Sequence, residues 1–328
     1  MARASAESDF PADAASLGAD QIHDAAVEPG ALAALGAEAE EWTRPHTSLW
    51  LDAWRRLCRN KLALLGLFIV TSFVLIAIFA PLIAPYGESE VVDVRLARME
   101  PSWTFPMGLD KNGRDIFSRL MYGARVSLVV GLTAYFLILL IAIPVGSIAG
   151  FYGGTVDNVL MRLVDVVYTI PQVLLVMLFV NARGAGLANI ILGIGLIGWV
   201  TEARLIRAQF LTLREQEYIK ASRVAGASGR HIIGRHLLPN SMTPIIVAAT
   251  FGIPTAIFIE AALSYVGIGI RPPQASWGQM IGDASNPAMI QSDPHMLFFP
   301  VVAIGLVMLG FTFLGDGLRD ALDPKGND

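Results

Sequence analysis

The stretch EQEYIKASRVAGASGRHIIGRHLLPN at 215–240 gathers charged residues, a glycine break and a proline into one short segment. Leu213 to Ala225 lacks Gly and Pro, and Leu213, Ile219 and Val224 punctuate its polar positions. That pattern predicts a moderately amphipathic helix too polar to cross lipid. Gly226 predicts a hinge, Ser228 the N-cap of a second helix, and Pro239-Asn240 its end. Within that second helix Ile232, Ile233, Leu237 and Leu238 are apolar, while Arg230 and Arg235 can reach water from the membrane surface. The chemistry on offer is docking, either to acidic lipid headgroups or to a protein. A second candidate is Glu260, inside the apolar run FIEAALSYVG. A carboxylate there is costly facing lipid, so it must face the bundle, a partner or water. Lining a solute path and pairing structurally are both open to it. Arg162 and Asp165, three apart, form a candidate pair on one helical face. No covalent or metal chemistry is indicated. The chain has no phosphate-cradling G-x-x-x-x-G-K-[ST] loop, no Cys/His metal spacing and no G-x-S-x-G elbow, and its five histidines are scattered.

The elements that must position these residues follow from composition. Hydrophobic side chains make up 54% of the 328 residues and charged ones only 16%, where soluble chains carry roughly 25% charged. The apolar excess falls in long runs, and crossing a bilayer in a helix takes roughly 20 such residues. The runs predict an all-α membrane protein with six spans, at about Leu62–Ala84, Val126–Ala149, Val159–Val180, Leu187–Val200, Pro244–Ile268 and Met296–Leu314. A Gly-rich turn, ARGAG at 182–186, precedes the short fourth span. Between the first two, Ile116, Phe117, Leu120 and Met121 predict a helix lying on the outer surface over Gly108–Arg125. Trp277, beside the turn RPP at 271–273, is expected as an interfacial anchor, and GDGLRD at 315–320 as a helix terminator.

Orientation comes from Lys and Arg near the span ends. Arg55, Arg56, Arg59 and Lys61 put the N-terminus in the cytoplasm, and six spans return the C-terminus there. The loop between spans four and five is then cytoplasmic, with Arg204, Arg207, Arg214, Lys220, Arg223, Arg230 and Arg235 against Glu202, Glu215 and Glu217. The loop after span one, with six bases, runs against the rule. Residues 1–41 set nine acids against Arg3 and read as a disordered cytoplasmic tail, without the pattern of a signal peptide. The net charge of −4 therefore points to no nucleic-acid partner, and the single Cys58 excludes an intrachain disulfide.

The segment EYIKASRVAGASGRHIIGRHLLPN resembles the EAA loop of ABC-importer permeases, with Gly226 and Leu238-Pro239 in register. GLDKNGRDIFSRLMYGARVSL at 108–128 is similar to a conserved block of the dipeptide/oligopeptide permease family. GFYGGTVDNVLMRLVD at 150–165, AALSYVGIGIRPPQASWGQM at 261–280 and LGDGLRDALDP at 314–324 match further blocks in the same order, and together they resemble the C-type partner of the permease pair. The resemblance implies a type I ABC-importer permease bundle. Residues 1–50 would form the tail, 51–125 the first span and external loop, 126–318 the permease core and 319–328 the cytoplasmic C-terminus.

It further implies a cell-membrane heterodimer with a homologous B-type permease, served by an extracytoplasmic binding protein. Two cytoplasmic ATPases would bind ATP and Mg, so this chain needs no cofactor and is no enzyme. Contact with an ATPase would fall to Glu217, Tyr218, Lys220, Ala221, Ser222, Gly226, Ala227 and Pro239. The match departs where Lys220 replaces the motif's leading Glu, Ser222 its second Ala, and Leu109 a Thr. Glu217, on the same face as Lys220, is the candidate substitute. The implied cargo is a di- or oligopeptide, with nickel or another small solute as the alternative. From other classes, an ion-gradient-driven transporter and a membrane scaffold are the rivals.

Overall fold

In the computed structural model, which describes residues 49–322, Asn60 starts the first long helix. Its side-chain oxygen accepts hydrogen bonds from Leu62 N at 3.0 Å and Ala63 N at 3.2 Å. The acidic tail and the last residues of the C-terminus, read above as cytoplasmic, lie outside the described residues. The elements are α1 (Leu49–Leu57), α2 (Lys61–Ile83), α3 (Ile116–Tyr152), α4 (Gly154–Tyr168), α5 (Gln172–Arg183), α6 (Leu187–Leu213) and α7 (Glu217–Val224). They continue with α8 (Gly229–Ile232), a π-turn (Ile233–Leu237), α9 (Leu238–Tyr265), α10 (Trp277–Ala284), α11 (Pro287–Ser292) and α12 (His295–Leu322). Among the described residues there is no strand, only an isolated bridge between Leu109 and Asp115.

Five stretches are long and apolar enough to cross a membrane: α2, α3, α6, α8 through α9, and α12. The sixth expected span is a bent pair, α4 and α5, meeting at 79°. The bend sits where Pro171 disfavours helix at Ile170, so the straight span expected at 159–180 is corrected.

Four helix ends also differ from the sequence expectation. First, α3 begins at Ile116 and runs 37 residues, about 55 Å at 1.5 Å per residue. Asp115 caps it, accepting from Ser118 N at 2.8 Å, so no separate surface helix covers 108–125 and no boundary falls at 125. Second, α6 continues to Leu213, well past the expected Val200. Third, α12 continues through GDGLRD to Leu322, because Gly317 is needed for packing. A Cβ there would lie 2.2 Å from the Ala63 Cβ of α2. Fourth, Pro239 does not stop the chain. It stands in the first turn of α9 after the π-turn, where a missing N–H costs little.

Small residues let the helices approach closely, as membrane bundles require. α3 and α6 run side by side in the same direction, with Gly146 against the Ala203 carbonyl and Gly150 against Phe210. α2 and α12 run antiparallel, with Gly66 against Gly310. One buried cluster joins α3, α6 and α9 and extends to Ile219 of α7 and Ile232 of α8. Phe68, Leu82, Phe136 and Leu178 remain exposed on the outside, as lipid-facing side chains do.

Candidate functional site

At one end of the bundle the chain leaves α6 at Leu213, and Arg214 Nη1 donates to the Gly150 carbonyl at 3.0 Å. α7 is only two turns long, so it depends on tertiary contacts rather than on its own propensity. Ile219, with no exposed surface, belongs to the same buried cluster as Phe210, Ile232 and Leu237. The Arg223 guanidinium stands 5.1 Å from the Phe151 ring centroid, and Tyr218 and His236 bring their rings within 6.4 Å.

Gly226, at φ +81°, closes α7: its N–H returns to the Arg223 carbonyl at 3.0 Å, and Ala227 N–H returns to Ser222 at 3.0 Å. That paired closure is the left-handed glycine cap of a helix C-terminus, so Gly226 is a fixed corner rather than the expected hinge. Ser228 Oγ then accepts from His231 N at 3.4 Å and starts α8 as anticipated. From Gly229 the helix runs through the π-turn into α9 without interruption.

The outward face of this segment carries Glu217, Tyr218, Lys220, Ala221, Arg223 and Val224, with Ser222 and Ala227 half-buried and Gly226 and Pro239 exposed. Val224 is 91% exposed, the largest aliphatic side chain on this face and flanked by Arg223 and Lys220. Lys220 Nζ pairs with Glu215 Oε2 at 3.8 Å, both exposed, and Glu217 makes no ion pair among the described residues.

Two arginines assigned above to the loop instead tie α6 to α4. Arg207 grips Asp157 of α4 with two bonds of 2.5 Å. Arg204 donates to Asp165 at 2.6 Å and lies 4.1 Å from the centroid of the Tyr168 ring. Arg162 is therefore not the partner of Asp165. Arginines that satisfy carboxylates on a packed neighbour leave no reason for α6 to stop where its apolar run stops.

Midway along the bundle a groove of about 340 Å³ opens between α3, α6 and α9, reaching the start of α5. Its walls are mostly apolar, and Tyr135, Gln172, Thr201, Glu202 and Thr255 supply the polar lining. Glu202 is the one charged side chain among the lining residues. Sequence reasoning missed it by counting it among the loop acids. The available signal was its position in IGWVTEARLI, directly continuing an apolar run.

Glu260 lies elsewhere. It has no exposed surface and does not line the groove. Ser127 Oγ of α3 donates to its Oε2 at 3.0 Å and Ser264 Oγ to its Oε1 at 2.8 Å. It braces α3 against α9 inside the wall, which corrects its candidacy as a path residue.

The opposite end is sealed by a charged knot. Asp110 Oδ2 accepts from Arg114 Nε at 2.7 Å and lies 3.6 Å from Arg119 Nη1. Arg119 Nη2 donates to Gln279 at 3.0 Å, and Lys111 pairs with Asp283 at 2.8 Å. Trp277 is fully buried beneath this knot, donating from Nε1 to the Leu120 carbonyl at 3.0 Å. It packs on Gly123 and is a core residue, not the interfacial anchor expected.

Comparison with known proteins agrees with this layout. Residues 142–327 match the family model described as the binding-protein-dependent transport system inner membrane component, and residues 48–101 the N-terminal TM domain of oligopeptide transport permease C. The chain is 44% identical over 293 residues to the oligopeptide transport system permease protein OppC of Bacillus subtilis (strain 168), covering 89% of this chain and 95% of that one. It is 43% identical over 290 residues to the dipeptide transport system permease protein DppC of the same organism, covering 88% and 89%. It is 40% identical over 276 residues to the glutathione transport system permease protein GsiD of Shigella dysenteriae serotype 1, covering 84% and 90%.

Proposed function

This chain belongs to the binding-protein-dependent ABC-importer permeases, in the C-type branch of the oligopeptide and dipeptide systems, and we propose that it carries short peptides across the cell membrane as one half of a heterodimer. The other half is a homologous B-type permease. Two ATPases, holding ATP and Mg, bind at the α7 end, which faces the cytoplasm. An extracytoplasmic binding protein hands over the cargo at the knotted end, and lipid surrounds the apolar exterior.

The observation that carries the coupling role is how α7 is attached. It presents Lys220, Arg223 and Val224 outward while Ile219 is locked into the cluster shared by α3, α6 and α9. It also joins α6 through a short turn and, through the Gly226 corner, the uninterrupted helix that runs from Gly229 into α9. A push on α7 from a closing ATPase pair is therefore delivered to two spans that wall the groove, which is how a two-state bundle can be biased from one end. Among relatives, OppC, DppC and GsiD are named for oligopeptide, dipeptide and glutathione transport, which supports a peptide cargo over nickel.

Uptake of radiolabelled tri-alanine into proteoliposomes holding the full complex tests the reading. Transport that needs internal ATP and survives a protonophore is the expected result. Transport that persists without ATP and collapses with the ion gradient would replace this reading with the secondary-transporter rival.

A further inference from the structure

Among the described residues, α3 to α6 and α9 carry four carboxylates: Asp157, Asp165, Glu202 and Glu260. Three are answered inside the chain, Asp157 by Arg207, Asp165 by Arg204, and Glu260 by serine hydroxyls. Glu202 has no cationic partner among the described residues, and the groove it lines contains no Lys or Arg. Its neighbours Arg204 and Arg207 point from α6 toward α4.

The groove around Glu202 is built rather than incidental. Gly252 leaves no room for a Cβ, since one would fall 1.8 Å from the Tyr135 ring, so that ring reaches across from α3 to α9. Its hydroxyl, on a residue only 3% exposed, lies beside the Glu202 carboxylate without a well-formed hydrogen bond. Gly198 likewise admits the Gln172 amide, whose Nε2 would stand 2.7 Å from a Cβ at that position. A volume of about 340 Å³ is within the range of small-ligand pockets. A carboxylate in a mainly apolar membrane groove, with donors and acceptors beside it and no fixed counter-charge, calls for a cation from outside the chain.

We propose that Glu202, with Tyr135 and Gln172 beside it, forms a cation station on the solute path that receives the primary ammonium group of a passing peptide. The inference rests on the peptide-importer reading above and deepens it. The station is weak by design: one carboxylate can attract an ammonium without trapping it, as a site of passage requires. The mainly apolar walls offer few groups that could select among side chains, so the charged terminus is the feature common to all such cargo. A basic side chain of the companion permease could offer the same charge, and the test below separates the two sources.

The full complex is assembled with native, Glu202→Gln, Glu202→Asp or Tyr135→Phe chains. Initial uptake is measured from binding protein preloaded with tri-alanine, alongside subunit stoichiometry and basal ATP hydrolysis. Glu202→Gln keeps the shape and removes the charge, and is expected to slow uptake about tenfold, with Glu202→Asp within about threefold of native. Assembly should be unchanged in both, and uptake by Tyr135→Phe should fall between them. Equal uptake by the Gln and native complexes overturns the station. Loss of the companion permease from the Gln complex also overturns it, by assigning Glu202 to the subunit interface. An Asp variant as slow as Gln overturns it by making the role one of packing. If the native complex itself carries no tri-alanine, the peptide-importer reading falls and takes the station with it, whereas the other failures leave that reading intact.

Discussion

Truncating Ile219 to Ala isolates what holds α7 in place. Ile219 is wholly buried in the cluster that includes Phe210, Ile232 and Leu237, and an Ile→Ala change in such a setting costs about 2–5 kcal/mol. What remains to hold α7 is modest. The Arg223–Phe151 contact at 5.1 Å is half-open to water, a setting worth about 0.5–1 kcal/mol. The glycine closure organises the corner without anchoring it to the bundle. At the low end, 2 kcal/mol raises the undocked population of α7 about thirtyfold. Hydrogen exchange in nanodiscs should show amides 219–227 exchanging faster by about that factor, with the middle of α3 and α9 unchanged. ATP-driven uptake should fall while the chain remains inserted. Val224→Ala is the matched surface control, expected to weaken transport with exchange at 219–227 unaltered. Unchanged exchange in Ile219→Ala, or a loss of protection spread evenly over all the spans, would refute the assignment of Ile219 as the anchor.

Gly226→Ala places a Cβ at φ +81° with nothing within 4 Å of it, so the expected cost is backbone strain alone, about 1–2 kcal/mol. Gly226→Asn should recover most of it in the same exchange experiment. Gly317→Val drives a side chain into Ala63, where even a Cβ stands 2.2 Å away; thermal unfolding in detergent should fall by several degrees as α2 and α12 separate. Arg119→Met removes a guanidinium that is 1% exposed and bonded to Gln279 while flanking Asp110. Asp110 keeps Arg114 and Asp283 keeps Lys111, so the expected cost is that of leaving Gln279 without its buried donor, about 1–3 kcal/mol, read as a lowered unfolding temperature.

What the sequence disclosed followed from the scale of each signal. Uninterrupted apolar runs announced α2 and the middles of α3, α9 and α12, because the hydrocarbon thickness sets a length that little else explains. Helix ends were harder, since they depend on what a polar residue meets. Arg204 and Arg207 looked like loop residues until Asp165 and Asp157 of α4 faced them. The glycines of GDGLRD resembled a terminator because their reason, Ala63 and Thr250 on other helices, is absent from the local pattern. Pro171 was passed over within an apolar stretch although it bends the pair α4–α5, while Pro239 was overread because a π-turn lay just before it.

The candidate site divides the same way. Ser228 and the break at Gly226 were local features and stood in the sequence, whereas the closure that makes Gly226 rigid depends on bonds back to Ser222 and Arg223. Glu202 and Glu260 exchanged places. The acid deep in an apolar run proved to be a brace within the wall, and the one near the run's edge faces the groove. No single-chain pattern separates them, because the choice is made by Ser127 and Tyr135 on another helix.

The measurement closest to the central claim is site-specific cross-linking at α7. Cys58, the one natural cysteine, is replaced by Ser. Val224→Cys is then compared with Leu178→Cys on the exposed flank of α5, in membranes where the complete importer is active, each thiol being labelled with a benzophenone maleimide and photo-activated, so that no cysteine is needed on the partner. The account predicts a cross-link from position 224 to an ATP-binding subunit whose yield changes when a non-hydrolysable ATP analogue closes the ATPases, and none from position 178. A transport-competent complex giving no cross-link from 224 to such a subunit would contradict it.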